Sequence, residues 1–332
     1  MHKHMAATID ECVEMSHLKH KITAVIPTST APVNCLMWSV FSLLLRTQVD
    51  DLLEHFCVCI NGPDERTGDP TIATTKQRFL EELRDLEWCH PDRPNVRRPM
   101  PLTVIRVWSR VGHSEPMQMA LPWVHTDAYL LLHDDVFIRN ANWTRQVKDK
   151  FYGDDNVALT HWGPLLDCKL DHHIHRGMFL IRLPQMNTTF LLCKKKWTMK
   201  AGGRWTAMHI PSDDNVLQFD LPEVGDVDAL HTFWKERGLS DTPLQTTELY
   251  NFVRQDVGAW MYYGLAKNGH TFNTFDDDTV IHLAHMTIQE IDQDQRKARL
   301  EGYEGDILEL ENLIAQHPPY SALYNKYKTA RD

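Results

Sequence analysis

Two adjacent aspartates, Asp134 and Asp135, stand where a buried strand is predicted to end. The run 129–132 before them is apolar, as is typical of a strand covered on both faces of a sheet. A second short apolar run begins at Val136. Neighbouring carboxylates repel each other, and charge beside a core costs free energy unless a positive group compensates it. A divalent cation held by oxygen ligands would supply that compensation, and a polar strand end facing water is the alternative.

Strands and helices that alternate along the chain must position these aspartates. The apolar patterns predict strands over 22–26, 55–60, 102–108 and 129–132, separated by helices over 33–47, 79–86 and 117–124. This alternation predicts an α/β fold with a mostly parallel, Rossmann-like sheet and helices on both faces. Further strands are predicted over 156–160, 178–182 and 279–283, and helices from 212, over 248–265 and from 288 onward.

Polar and turn residues follow four of these strands. In parallel α/β sheets, ligands bind in the crevice outside the carboxyl ends of the strands. We therefore expect one cleft to be lined by the residues found there, which are Pro27, Thr28, Asn61, Asp64, Arg110, His133, Asp134 and Asp135.

Composition narrows the class of protein. The 332 residues are 42% hydrophobic and 24% charged, as in an ordinary globular protein with one main core. A formal net charge of −10 argues against a surface that coats nucleic acid in general. Seven scattered cysteines form no CxxC pair and are expected to be reduced thiols. We see no secretory signal over 1–21 and no transmembrane segment, so we expect a cytoplasmic protein, in the host cytoplasm if it is viral.

Five segments, taken in chain order, resemble glycosyltransferases of the GT-A fold, most closely the large inverting group called family 2. Each is weak alone, and their order and rough spacing agree over 22–287. They are the opening strand with Pro27-Thr28, the segment that leads from Arg110-Val111-Gly112 into His133-Asp134-Asp135 in the place of the metal-binding DxD, the Gly177 strand, Asp213-Asp214, and the closing strand with His282.

The resemblance implies a metal-dependent enzyme that moves a sugar from a nucleotide-diphosphate donor, with UDP favoured, to a hydroxyl group. It implies Mn²⁺ or Mg²⁺ as cofactor, with Asp135 as first ligand and His282, or its rival His285, as another. Asp134 or His133 is then expected at the ribose or at a metal-bound water. Asp214, with Asp213 as alternate, is the expected general base, although the pair could also simply cap a helix. Gly177 is expected at the acceptor site.

Two positions depart from the family pattern. His133 stands where the first aspartate of DxD is expected, and Asn61 stands near the acidic residue that often binds uracil. The first departure favours Mn²⁺ slightly, since imidazole suits transition metals. The second leaves the nucleotide base open.

One dense basic and aromatic patch stands out in this acidic chain. Tryptophan can stack on a sugar or a base, and lysines can contact phosphates, so an acceptor surface is one reading and a solvated loop the other. The patch is compatible with three kinds of acceptor: a glycan, a lipid-linked acceptor, or DNA that carries a hydroxymethylated base. The expected acceptor-binding residues of this patch are Lys194, Lys195, Lys196, Trp197 and Trp205.

Four regions are expected: an N-terminal extension (1–21), a nucleotide-sugar half (22–138), an acceptor and catalytic half of the same domain (139–287), and a C-terminal helical extension (288–332). The sequence leaves the oligomeric state open.

A nucleotidyltransferase is the rival enzyme class, but the residues 29–32 offer no glycine-rich phosphate loop. A non-catalytic sugar- or nucleotide-binding module is a further alternative. A zinc site at His172, His173 and His175 lacks cysteines at finger spacing, and Asp276-Asp277-Asp278 is expected to be a solvated turn.

Overall fold

A computed structural model describes most of the chain's central sheet and its C-terminal helices. The described residues are 20–29, 31–47, 52–62, 70–90, 93–107, 115–163, 169–173, 178–182, 188–200, 208–211, 252–255, 261, 265, 268–283 and 293–329. Within them, no helix combines the length and apolar character needed to cross a bilayer.

Fifteen strands are described, and most of them are short. In chain order they are β1 (Ile22–Thr28), β2 (Leu53–Asn61), β3 (Glu87–His90), β4 (Arg93–Pro99), β5 (Leu102–Val107), β6 (Ala128–Leu132), β7 (Val136–Ile138), β8 (Val157–His161), β9 (Lys169–His173), β10 (Met178–Arg182), β11 (Phe190–Lys194), β12 (Met208–Pro211), β13 (Phe252–Gln255), β14 (Thr271–Thr274) and β15 (Val280–His282).

The helices lie between the strands and at the end of the chain. They are α1 (Val33–Arg46), α2 (Pro70–Arg84), α3 (Glu115–Ala120), α4 (Trp143–Gln146), α5 (Lys195–Lys200), α6 (Gln293–Gly302), α7 (Glu304–Ala315) and α8 (Pro318–Tyr327). A 3₁₀ turn over Leu121–Trp123 follows α3, and α4 continues as a π-helix over Val147–Tyr152.

The central sheet has seven strands in the order β14-β8-β11-β6-β1-β2-β5. Within it β11 runs antiparallel to both of its neighbours, whereas the other strands are mutually parallel. Strands from both halves of the sequence therefore share one sheet. Smaller groupings are β12-β13-β10-β9, β15-β7 and β3-β4. The predicted mostly parallel α/β sheet is confirmed.

Helices cover both faces of this sheet. Alternate residues of β1 divide between two cores: Ala24 and Ile26 pack with α1 and α2, whereas Val25 packs with α3. Every residue of α1 is buried, as expected for a helix that is apolar nearly all round. Both faces of the central strands are thus closed to water, which explains their continuous apolar runs.

The C-terminal helices form a further layer over α1 and α2. Their buried residues are Ile307, Leu310, Ile314, Tyr320, Leu323 and Tyr324. Trp38 donates its indole N–H to the Tyr324 hydroxyl at 3.0 Å, and Asn34 exchanges two hydrogen bonds with the backbone of Thr329, each of 3.0 Å. The buried side chains Ile307, Leu310 and Ile314 of α7 therefore pack on the chain's own body.

Several elements differ from those that the sequence predicts. Part of the helix predicted over 248–265 is wrong, because residues 252–255 form strand β13, which pairs with β10 and β12. Helical spacing of its aromatic residues is overridden there by strand pairing. Strands β3, β4, β9, β11, β12 and β14 and helices α4 and α5 were not predicted, since most are too short to show a period.

Replacing Leu310 with alanine should lower the free energy of unfolding by about 2–5 kcal/mol, because this fully buried side chain would leave a cavity against α1. Leu308→Ala is the matched control: its side chain is 44% exposed on the same helix, and its loss should stay within about 0.5 kcal/mol. Urea unfolding of the three proteins measures both values. Equal losses would show that α7 does not pack on the body.

The buried thiols should be unreactive in the native protein. Cys35, Cys57, Cys59 and Cys193 are buried and form no disulfide with one another, and burial raises the pKa of Cys57 and of Cys59 to about 12. Since the thiolate is the reactive form, a thiol reagent should titrate no more than the three remaining cysteines natively and all seven after denaturation. More than three rapid native equivalents would contradict this burial.

Candidate functional site at the carboxyl ends of the strands

The carboxyl ends of the parallel strands meet at one edge of the sheet. Thr28 of β1 lies opposite Ile60 of β2, and Asn61 lies opposite Val107 of β5. Strand β6 runs parallel to β1, so the aspartates that follow Leu132 emerge at the same edge. The structure thus brings Pro27, Thr28, Asn61, His133, Asp134 and Asp135 to the edge where ligands of such sheets bind.

Asp134 is held by two side chains from other elements. The Thr28 hydroxyl donates to its Oδ2, and the Lys76 ammonium lies 3.2 Å from the same oxygen. Lys76 comes from α2 and is fully buried, and Asp134 is 2% exposed. This carboxylate is therefore compensated by the protein itself.

Asp135 has a different environment although it is equally buried. Strand β15 pairs with β7 so that His282 lies opposite Val136, and its Nε2 comes within 3.5 Å of Asp135 Oδ1. No hydrogen bond from the described residues satisfies that oxygen, and it is shielded from solvent. Burial acts to raise the pKa of Asp135, but His282, with further charge from His133, holds the pKa below the usual value of an aspartate.

A buried carboxylate oxygen without a hydrogen bond is a feature that needs explanation, and a cation accounts for it. Asp135 supplies an anionic oxygen and His282 an imidazole nitrogen, a pair that suits Mn²⁺. Among the residues that the structure describes, no group of three acidic, histidine or cysteine side chains surrounds one point. Of the described residues, Asp135 and His282 are therefore the pair that could hold a divalent ion.

A polar seam on α1 holds the turn that carries both aspartates. The Ser39 hydroxyl faces three backbone carbonyls of the turn. Its Oγ lies 3.1 Å from the carbonyl oxygen of Asp134 and 3.3 Å from the carbonyl oxygen of His133. Its closest contact is with the carbonyl oxygen of Val136. Ser42 accepts from the backbone N–H of Ile138 at 2.9 Å. One face of the helix therefore fixes the backbone of the site.

The same seam ends at Arg46, which binds the backbone beyond β7. Its guanidinium donates to the carbonyl of Ile138 at 2.7 Å and to that of Arg139, and it pairs with Glu309 of α7 at 2.8 Å. The sequence analysis did not single out these residues. Polar residues at spacings of three and four in an otherwise apolar helix are the signal that could have identified the seam.

The basic and aromatic patch lies elsewhere. Strand β11 is antiparallel to β6, and Lys194 lies opposite Ala128, at the amino end of β6. The carboxylates follow the other end of that strand. Lys194 donates to the carbonyl of Asp154 at 2.8 Å and Lys195 to that of Val124. The structure does not bring these two lysines to Asp134 and Asp135.

Lys196 and Lys200 of this surface lie over the ring of Trp197. The ammonium groups of Lys196 and Lys200 lie 4.3 and 4.7 Å from the centre of the Trp197 ring, which also packs against His270. These contacts keep both lysines over an aromatic face. They organise this surface without placing it beside the aspartates.

Several predicted site residues lie outside the described residues, and their roles stay predictions. They are Asp64, Arg110, His175, Gly177, Trp205, Asp213, Asp214 and His285. His172 and His173 lie in β9, which pairs with β10.

The acidic run 276–278 forms an exposed turn, as predicted. Lys150 pairs with Asp276 at 2.6 Å, and the Asn140 amide donates to Asp278 at 3.4 Å. Solvated carboxylates with such partners need no cation.

Replacing Ser39 with alanine should lower the free energy of unfolding by about 1–3 kcal/mol, because buried carbonyls of the turn would lose their donor. We expect affinity for Mn²⁺ to fall as well, since the turn sets the position of Asp135. Ser321→Ala, which removes a partly exposed hydroxyl on α8, is the control and should change neither property. Urea unfolding measures the stability of both variants, and titration with Mn²⁺ measures their affinity for the metal. If Ser39→Ala matches the wild type in both properties, the polar seam on α1 does not support the site.

Comparisons with known proteins reach only the level of the fold. No family model and no curated protein matches the chain. Among solved structures it is similar to the mannosyltransferase PcManGT of Pyrobaculum calidifontis in complex with GDP-Man and Mn²⁺, at 12% identity and a TM-score of 0.42, covering 93% of this chain and 75% of that one.

It is also similar to TarS of S. aureus, at 10% identity and a TM-score of 0.34 over 89% of this chain and 82% of that one. The inositol-1-phosphate CTP transferase of T. maritima is similar at 11% identity and a TM-score of 0.36 over 86% and 98%. Such low similarity says nothing about activity. The order and direction of its strands show the mostly parallel α/β sheet that the sequence predicts.

Proposed function

We propose that this protein is a metal-dependent glycosyltransferase that moves a sugar from a nucleotide-diphosphate donor, with UDP favoured, to a hydroxyl acceptor. One observation carries the proposal. The buried Asp135 Oδ1 has no hydrogen bond from the described residues and lies 3.5 Å from His282, at the carboxyl ends of parallel strands. Crevices at that edge bind ligands in α/β sheets, and an anionic oxygen beside an imidazole is suited to a cation.

Asp135 and His282 would hold the cation. When bound, Mn²⁺ or Mg²⁺ neutralises the negative charge that develops on the diphosphate as the bond to the sugar breaks. The protein's own part is to keep Asp135 ionised: His282 and His133 hold the pKa of this carboxyl low in spite of its burial. It also excludes water, since Asp135 is only 2% exposed.

The acceptor hydroxyl must lose a proton as it attacks the sugar carbon. We propose Asp214 as the base, with Asp213 as alternate, and an acceptor site near Gly177 and Trp205. A carboxylate within hydrogen-bond reach could contribute about 10²–10⁴-fold to the rate. Direct attack opposite the departing diphosphate inverts the configuration, in line with the resemblance to family 2.

Other functions have less support. A DNA acceptor depends on the lysine patch, but Lys194 and Lys195 donate to the protein's own carbonyls, and Lys194 lies at the other end of the sheet. A nucleotidyltransferase lacks its glycine-rich loop at 29–32. A non-catalytic binding module remains the second candidate, since His133 replaces an expected aspartate.

The decisive experiment is sugar-nucleotide hydrolysis or transfer with Mn²⁺, using UDP-, GDP- and TDP-sugars. Asp135→Ala should lower turnover by about 100-fold or more, equal to about 3 kcal/mol of transition-state stabilisation. Asp278→Ala, which removes an exposed turn carboxylate, is the matched control and should keep full turnover.

Two outcomes would contradict the proposal. The glycosyltransferase hypothesis is excluded if the wild type neither binds nor turns over any of the donors and Asp135→Ala behaves in the same way. Calorimetry that shows donor binding independent of metal would favour the non-catalytic module instead.

A further inference from the structure

Lys76 is the feature of this site that the proposed chemistry does not use. Its side chain is fully buried on α2, next to Phe79 and Leu80 of the main core. Burying an ammonium group is costly unless it is paired and hydrogen-bonded. A lysine in this position therefore calls for a specific role.

Every donor of the ammonium group is engaged within the protein. Lys76 Nζ lies 2.5 Å from the Thr28 hydroxyl, 3.0 Å from the carbonyl of Ser29 and 3.2 Å from Asp134 Oδ2. A lysine has three N–H donors, and these contacts account for all of them. Lys76 is thus committed to the end of β1 and to Asp134, with no donor left for a phosphate.

The pairing makes the two neighbouring aspartates unequal. Asp134 receives the ammonium of Lys76 and the hydroxyl of Thr28, so its charge is compensated internally. Asp135 Oδ1 receives no hydrogen bond from the described residues. One carboxylate therefore has internal donors, whereas Oδ1 of the other receives no hydrogen bond from the described residues.

We propose that Lys76 is a positioning residue that binds Asp134 and thereby leaves Asp135, of the two neighbouring aspartates, as the carboxylate for the cation. The inference rests on the proposed function. Mn²⁺ and Mg²⁺ take about six ligands, and Asp135 with His282 supplies a minority of them. Because the described residues offer few ligands, we expect the cation to bind more tightly in the presence of a nucleoside diphosphate, whose oxygens are ligands of the kind that these ions prefer.

The test is titration of the protein with Mn²⁺, followed by electron paramagnetic resonance, with and without UDP. Lys76→Met removes a positive charge and frees Asp134 beside the site, so its affinity for Mn²⁺ alone should rise by about tenfold. Mn²⁺ should also raise its melting temperature more than that of the wild type. A purely structural lysine would give weaker or unchanged metal binding, which would overturn the inference.

Two further variants keep the test decisive. Lys326→Met removes an exposed lysine paired with Glu82 and should leave Mn²⁺ affinity unchanged. Lys76→Met combined with Asp134→Asn carries a neutral pair, so it should fold even if the single variant does not and should bind Mn²⁺ within about threefold of the wild type. If that double variant instead loses Mn²⁺ binding to the extent that Asp135→Asn does, Asp134 is a ligand and the inference is wrong.

The failure of the inference and that of the proposed function are distinguishable. If the wild type binds no Mn²⁺ even with UDP present, the proposed function fails. If the wild type binds Mn²⁺ with UDP and Lys76→Met shows no gain for Mn²⁺ alone, only the role of Lys76 fails.

Discussion

Two neighbouring carboxylates buried at the end of a core strand impose the constraint to which the rest of the site responds. Each carboxylate costs free energy unless a positive partner compensates its charge. Asp134 finds that partner in Lys76, whereas Asp135 has His282 and an oxygen that receives no hydrogen bond from the described residues. The difference between two adjacent residues of one type comes wholly from the elements that pack around them.

Helix α1 connects this site to the core. Its apolar residues fill the space between the sheet and the C-terminal helices, while Ser39, Ser42 and Arg46 bind the backbone around β7. Hydrogen bonds within a closed core are strong and directional, so the turn has little freedom to shift. Packing and site geometry therefore depend on the same helix.

The sequence predicted the parts of the structure whose signals are local. Continuous apolar runs identified β1 and β6, and the paired aspartates marked the edge of the sheet that carries the site. It missed β13, where strand pairing overrode a helical pattern, and it missed Lys76, since a lysine within a helix ordinarily faces water. Partners such as Lys76 and Asp134 are 58 positions apart, and only the fold brings them together.

The hydrogen bonds between Asn34 and Thr329 join positions 295 residues apart, and they hold α1, the helix that binds the backbone of the aspartate turn. A ribosome adds residues in order, so these 295 positions must be synthesised before that helix is covered. Until then the apolar outer side of α1 stays open to water and to chaperones. The newly made chain is consequently exposed to aggregation or proteolysis in the interval between the synthesis of α1 and that of α7 and α8.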